Sequence, residues 1–450
     1  MKSIIAIATL CLMAINMQAQ DSLKIEWQGQ KKQWALQECI EYAHENNITV
    51  KRQKLNTEYN KNLQTQKSLN LYPNLNASSS YNLGFGRVLD QNDYTFNNET
   101  TQRSNFGVST QVPIIQGLTN RNEVKKQRSL YSASLQNLEK TKNDITLQIT
   151  TAYLQVLFAK ELLVVAKEQY ETSMLQAERT KKLVDAGSQA MGSYLEIKSQ
   201  AAKEALNVTQ QENSLGISLL NLAQLLDLEK PVEFDIQKPE IPQLQEFLTD
   251  QPQSIYQAAL DIMPEIKSSQ FNLESSEYDV KIAKGSMYPS LDLNGGWNSS
   301  VTKLESQTDF DFSQQFKDNS NSYVGISLRI PIFNGLQSRT AIKNAKIGYQ
   351  DASFELQNEK LNLRKEIQQA YADAIASYNK YLSSEEAVNS FAESFRYTEK
   401  KFNVGLVNSV DYNVAKTDYT RAQSDLLQAK YEYILRTKIL DFYKGIPIEL

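Results

Sequence analysis

Gln111-Val-Pro-Ile-Ile-Gln-Gly-Leu118 and Arg329-Ile-Pro-Ile-Phe-Asn-Gly-Leu336 are two copies of one phrase, 218 residues apart. The same displacement carries Arg121 to Arg339, Tyr131 to Tyr349, Ala152-Tyr153 to Ala370-Tyr371 and Gly187 to Gly405. Upstream, Leu71-Tyr-Pro-Asn-Leu75 matches Met287-Tyr-Pro-Ser-Leu291 at a displacement of 216. A shift that holds without a gap over so long a stretch marks a duplication. The expected organisation is a first repeat over 20–227, a linker over 228–253 that includes the Pro-rich stretch from Lys230, and a second repeat over 254–450.

Around each phrase the periodicity changes. Leu75, Ala77, Ser79, Tyr81, Leu83 and Phe85 alternate with small polar residues, and Phe106, Val108, Thr110, Val112 and Ile114 do the same. In the second repeat Leu291, Leu293, Trp297 and Val301 form one such row, and Val324, Ile326, Leu328, Ile330 and Ile332 another. Period two with one apolar and one polar face predicts half-exposed strands, two per repeat. Each is long enough to cross a bilayer as a tilted strand, which takes about 9–11 residues. Taken alone, the strands fit a membrane barrel or a soluble sheet packed on a core. In a barrel, Ser327 and Arg329 would face the lumen, and the polar stretches Asp90–Ser104 and Thr302–Asn321 would be external loops.

The remainder reads as helix. No Gly or Pro interrupts Thr119–Val184, and Gly348 alone interrupts Gln337–Val404. Each run of about 66 residues would measure about 100 Å. Ile149, Val156, Leu163, Tyr170 and Ala177 repeat in sevens, as do Tyr412, Tyr419, Leu426, Tyr433 and Leu440. Alanines lie three residues further on, so closely packed, supercoiled helices are expected. Gly187 and Gly405 fall where each long helix must stop and suit a left-handed residue past a C-terminus. A second helix follows each, giving one antiparallel hairpin per repeat. Shorter helices are expected near Trp34–Ser68 and Pro264–Ser286.

Composition narrows the function. With 52 acidic and 48 basic side chains there is no basic surplus, and no nucleic-acid partner is expected. One histidine, His44, and two cysteines cannot supply a histidine-rich metal centre or a Cys–His nucleophile pair. No phosphate loop or nucleophile elbow appears. No catalytic residue, metal or cofactor is therefore expected. His44, close to a helix end, reads as a surface or capping residue.

The N-terminus reads as a signal peptide over 1–19. Lys2 supplies its charge, Ile4–Met13 its apolar core, and Ala19 a small residue for cleavage, although Met17 fits the −3 place poorly. Cys11 raises a lipoprotein alternative, against which stand the bulky Leu10 and the very short core it would leave. Beyond the leader no stretch approaches 18 consecutive apolar residues, so no transmembrane helix is expected. Four strands cannot close a membrane barrel, and open edges are forbidden in lipid, so several copies would have to share one sheet.

These features together resemble the TolC family of outer-membrane factors. The resemblance rests on the duplicated Tyr-Pro before the odd strands and the Pro-Ile-x-x-Gly-Leu that ends the even ones. Ala35-Leu-Gln-Glu-Cys-Ile40 with Asn47, Val404-Gly405 with Asp411-Tyr412 and Ala415, Arg421-Ala-Gln423 and Gln428-Ala-Lys-Tyr431 extend it to about residues 33–445. It implies a mainly α-helical protomer that gives four strands to a trimeric twelve-stranded barrel and helical hairpins to a periplasmic tunnel. It further implies outer-membrane lipid, a periplasmic adaptor and an inner-membrane transporter as partners, in efflux or type I secretion. In the family the tunnel tip is closed by ionic and aromatic residues. Asp411 matches an upper luminal aspartate there, while Val414 replaces the lower one and Ser193 the equivalent in the first repeat. Phe402 stands for an aromatic that carries a hydroxyl in the family, and Val407 for an arginine. Asp411 also reads as an ordinary acidic residue in a first helical turn, and Phe402 as a heptad core position. A soluble periplasmic adaptor, with one hairpin, or a structural protein would explain the helices but not the duplicated strands.

Overall fold

The computed structural model describes residues 33–89, 94–229, 234–240 and 250–450; the leader, its cleavage site and Cys11 lie outside them. The first repeat holds α1 (Leu36–Asn46), α2 (Ile48–Leu69), β2 (Asn74–Leu89), β3 (Phe96–Gln116), α3 (Thr119–Asp185) and α4 (Met191–Leu225). The second follows the same plan with α5 (Pro252–Ile262), α6 (Pro264–Gly285), β5 (Ser290–Leu304), β6 (Asn321–Arg329), α8 (Gln337–Asn403) and α9 (Ser409–Tyr443). Corresponding helices agree to the residue, at 11, 22, 67 and 35 residues. At 1.5 Å per residue the two longest each span about 100 Å.

Three elements were not legible as such. β1 (Gln33–Trp34) and β4 (Asp235–Ile236) form a short parallel pair, and α7 (Phe312–Asp318) interrupts the β5–β6 connection. The expected external loop over 90–104 is mostly strand. β3 begins at Phe96 and pairs with β2 out to Leu89, where Thr, Asn and Gln on both faces erase the alternation although their backbones pair well. β6 stops at Arg329 rather than continuing to Ile332.

The four long strands form one antiparallel sheet in the order β2-β3-β5-β6. Asn74 and Gln116, and Ser290 and Arg329, therefore lie at a common end, from which the long helices depart. Each even strand turns into its long helix through two successive left-handed residues, Gly117-Leu118 at φ 56° and 63° and Gly335-Leu336 at φ 62° and 66°. That conformation, costly for leucine, is the structural content of the duplicated Gly-Leu.

Among the helices α2 packs on α3, α3 on α6 and α6 on α8, so the wall next to the sheet runs α2-α3-α6-α8. Farther away the α3–α4 and α8–α9 hairpins stand side by side through α3 and α9. The largest core gathers Trp34, Cys39, Ile40, Val50, Ile149, Leu157, Leu222, Leu226, Ile236 and Ile434 midway along the helices. Tyr153 anchors it, its hydroxyl 2.7 Å from the Gln237 carbonyl and 3.1 Å from that of Trp34. Burial pushes this phenol well above its ordinary pKa. A second core joins Ile255, Ala259, Ile266, Leu363, Ile367 and Leu440.

α3 also contains one 18-residue window apolar enough to cross a membrane by length and composition, contrary to the sequence expectation. The α3 residues Ile149, Leu154, Val156 and Leu157 lie in the helical core, so that apolarity serves packing between helices. His44 is likewise a packing residue. Its Nε2 lies 2.9 Å from Thr146 Oγ1 and 3.2 Å from the Lys142 carbonyl, tying α1 to α3. Burial lowers its pKa, with the Lys142 carbonyl opposing.

Candidate functional site

Two regions gather the residues that sequence reasoning singled out: the far tip of the hairpins and the polar face of the sheet. At the tip, the helix ends have one shape. Gly187 at φ +74° donates to Val184 O while Ser188 N reaches Leu183 O; Gly405 at φ +77° donates to Phe402 O while Leu406 N reaches Lys401 O. Both are the six-to-one closure that satisfies orphan carbonyls at a helix end. α9 then starts on Asn408, whose side chain accepts from Asp411 N at 2.8 Å. Asp411 and Val414 are exposed, and Ser193 is half-buried at the start of α4.

Phe402 is not on the surface. It is 2% exposed and stacks on Tyr412 with ring centroids 4.8 Å apart. Ala177 and Ile197 of the first hairpin close the cluster, and Val407 and Phe395 pack against it. The tip is therefore an apolar joint between hairpins, with Asp411 outside that joint. Tyr412 brings a hydroxyl into it that has no hydrogen-bond partner among the described residues, and burial raises its pKa.

Sequence reasoning missed the polar ties beside this joint. Lys416, 1% exposed, extends from α9 into the first hairpin. Its Nζ donates to Ser173 Oγ at 2.5 Å, the Gln169 carbonyl at 2.8 Å and Glu204 Oε2 at 3.1 Å. Three donors meet three acceptors, so the ammonium is satisfied although burial pulls its pKa down against Glu204. Nearer the turn Ser409 Oγ donates to the Glu196 carboxylate. The one available signal was Lys416 standing four residues after Tyr412, beside the apolar seam.

On the sheet, Ser327 accepts from Asn294 Nδ2 at 2.8 Å. Asp292 lies opposite Ser327 in register, and Arg329 opposite Ser290. Gln116 donates to Asp292 at 3.2 Å and Asn105 to Ser80 at 3.2 Å. Ser327 and Arg329 thus belong to one polar face with Asn74, Ser80, Asn105, Gln111, Asp292 and Asn294. The opposite face carries Leu75, Val108, Leu293, Val324, Ile326 and Leu328, and Val324 is 83% exposed. An apolar face left uncovered along the row from Leu75 to Leu328 suits hydrocarbon on that side and water on the other. Nothing in either region resembles a catalytic constellation.

Comparison with known proteins agrees with this geometry. The chain is 22% identical to the outer membrane protein TolC of Vibrio cholerae over 373 residues, covering 81% of this chain and 80% of that one. It is also 22% identical over 309 residues to the alkaline protease secretion protein AprF of Pseudomonas aeruginosa, covering 67% and 62%. Among solved structures the outer membrane protein VceC of Vibrio cholerae superposes with a TM-score of 0.75 at 18% identity, covering 92% of this chain and 97% of that one. The Campylobacter jejuni CmeC outer membrane channel does so at 0.76 and 18%, covering 91% and 85%. The outer membrane efflux protein family model matches residues 40–227 and again 255–442, one match per repeat. The chain belongs to the outer membrane efflux protein family and is a TolC-like outer-membrane channel, not an enzyme, with its helices in the periplasm.

Proposed function

We propose that three copies of this chain close one twelve-stranded barrel and one helical tunnel, which conduct cargo outward from a periplasmic adaptor and an inner-membrane transporter. The observation that carries this reading is the pair of unfinished edges. In the sheet, β2 and β6 each have one neighbour, and an open edge is not tolerated in lipid. In the helical wall, α8 presents Ile347, Phe354 and Leu361, and α2 presents Ile48, Leu55 and Leu69, all more than half exposed. The α8 row keeps a seven-residue spacing and the α2 row steps by seven and then fourteen, past Asn62, as two faces of one unformed seam would.

The duplication supports one register for these edges. Within the chain, Ser109 of β3 faces Gly296 of β5. Displaced by 218 and 216 residues, these become Ser327 and Ser80, so Ser327 faces the partner's Ser80 and Val324 faces the partner's Leu83. On this reading Ser327 and Arg329, on the polar face, line the lumen and the apolar row faces lipid. Native mass measurement in detergent, with Val324→Cys and Leu83→Cys combined, tests the arrangement. Trimers and an oxidised ladder up to three chains are expected. A dominant monomer or dimer, or a ladder only with Cys at a neighbouring position, would refute it.

Residues 20–227 and 254–450 then act as quasi-equivalent sixths of the tunnel, joined by 228–253, with 1–19 directing export. Asp411, Val414, Val407, Phe402, Ser193 and the two turn glycines lie at the periplasmic mouth. There Asp411 from three chains would form one acidic ring, with Val414 supplying no second. A trivalent cation added on the periplasmic side of a planar bilayer is expected to reduce conductance, and Asp411→Ala to relieve the block. Identical block in both proteins would return Asp411 to the role of a helix-start acid. Protease secretion, as in the name of AprF, and efflux are the two modes this duct suits.

A further inference from the structure

The β5–β6 connection does not project from the sheet but folds back over it. Phe106 of β3 meets Phe312 and Phe316 of α7 with centroids at 6.1 and 5.3 Å, and Trp297 of β5 meets Phe316 at 5.6 Å. Val301 and Ser299 beneath them are 2% and 3% exposed. Phe106, Trp297 and Val301 share the face of Leu291 and Leu293 in an unbroken β5 register, so α7 lies on the apolar side. It also seals β5 beyond the start of β6. Gln315 Oε1 accepts from Thr302 N at 2.9 Å, Asn319 Nδ2 donates to the Ser300 carbonyl at 2.7 Å, and Ser299 Oγ donates to the Phe316 carbonyl at 2.6 Å.

The level of α7 coincides with the end of the apolar band. Past Phe106 the same face of β3 continues as Ser104, Gln102 and Thr100, and on β6 the row Val324–Leu328 gives way to Ser322, opposite Trp297. Ile115 and Phe106 pair with Leu291 and Ser299, eight steps apart on β5, which at about 3.3 Å each and about 40° of tilt rise about 20 Å, most of the roughly 25 Å apolar band of outer-membrane barrels. Below that line hydrocarbon would meet Ser313, Gln314, Lys317 and Asp318, all exposed on α7, at a prohibitive cost. Above it Phe312, 46% exposed and stacked on Phe316 at 5.9 Å, would gain nothing from water.

We infer that α7 is an interfacial anchor, seated at the boundary between acyl chains and headgroups of the outer leaflet, with Phe312 turned toward the lipid. Its occupant follows from continuity: the apolar face below α7 is lipid-covered, so the medium around the helix rim is the same leaflet. α7 shields Trp297 and the unpaired edge of β5 and fixes the height of the barrel in the membrane.

The inference rests on the lipid-facing assignment of the apolar row, and the test separates the two. Nitroxide labels are placed singly on Phe312→Cys, Ser313→Cys, Asp309→Cys, Ile326→Cys and Ser327→Cys in the full chain, reconstituted in phospholipid vesicles. Oxygen, which partitions into lipid, and a water-soluble nickel chelate then serve as relaxing agents. Ile326 should favour oxygen and Ser327 nickel; failure of that contrast would refute the face assignment. With it intact, the 312 label should favour oxygen several-fold over the 309 label, at a shallower depth than 326, and the 313 label should fall between them. Nickel access at 312 equal to that at 309 would put α7 in water and overturn the anchor. Exclusion of both agents from 312 and 313 would put α7 against protein and overturn it equally.

Discussion

Lys416 carries a charge into the contact between two hairpins, and a charge so placed holds only while its partners are present. Removing the ammonium in Lys416→Met leaves Glu204, 13% exposed, without its partner, a defect that in general costs about 3–5 kcal/mol. The double variant Lys416→Met, Glu204→Leu removes both members and is expected to recover most of that loss. Hydrogen exchange over residues 166–200 and 405–420 of the trimer in detergent would register the difference, with faster exchange in the single variant only. Equal exchange in all three proteins would mean that Phe402 and Tyr412 hold the joint without help. The sign with pH is fixed by the lowered pKa of Lys416. The folded chain binds fewer protons than the unfolded one between that value and 10.5, so this residue's contribution increases as pH rises through the interval.

Elements differ in what their glycines must do. Gly187 and Gly405 have positive φ and open space where a Cβ would stand. Alanine at 405 therefore carries only backbone strain, about 1–2 kcal/mol, and should fray the end of α8 while trimers persist. At Gly117 a Cβ would come within 2.2 Å of the Gly285 carbonyl oxygen, where the strand-to-helix corner of the first repeat touches the end of α6. Gly117→Ala should prevent the two repeats from docking and sharply reduce heat-stable trimer on a gel, whereas Gly405→Ala should not. At this scale sequence and structure nearly coincide for the helices. In the two longest helices strict sevens, interrupted by Gly348 alone, specify the length, and Gly187 and Gly405 end them within a residue or two. The outer part of β3 escaped notice because both its faces turn polar there, and period two is visible only where the faces differ. α7 escaped because two phenylalanines four residues apart in a polar loop carry no period. The ties of Lys416 and Glu196 escaped for another reason: a seam predicts that helices meet, not which polar neighbours sit across the contact.

For the whole molecule, the decisive surfaces are those that one chain leaves bare. Phe354 is the middle residue of the α8 row, 66% exposed, and touches no core in the single chain. Phe354→Asp should leave the fold of the chain intact while placing three carboxylates in three apolar seams. Size-exclusion chromatography with light scattering is expected to find monomer in place of trimer, with unchanged helical circular dichroism. Trimer at wild-type yield would exclude that row from the seam. The proposed sheet seam should behave differently, because it would be made of backbone hydrogen bonds and so tolerate side-chain change on its lipid face.

The repeated plan also has a consequence for inheritance. Lys126 of α3 holds Asp279 of α6 at 2.7 Å where the two repeats meet within the chain. At the corresponding positions of the seam between chains stand Asn344 and Leu63, with no charge on either side. Two versions of one contact, encoded at separate places in one gene, can drift apart under selection. The version within the chain is made at the high effective concentration that covalent linkage gives, and an ion pair there needs no second molecule to arrive. The version between chains must form among strangers, and greasy side chains in register recruit them without demanding an opposite charge. In the three-chain assembly proposed above, duplication within one chain would let a ring of six similar joints be edited as two independent sets of three.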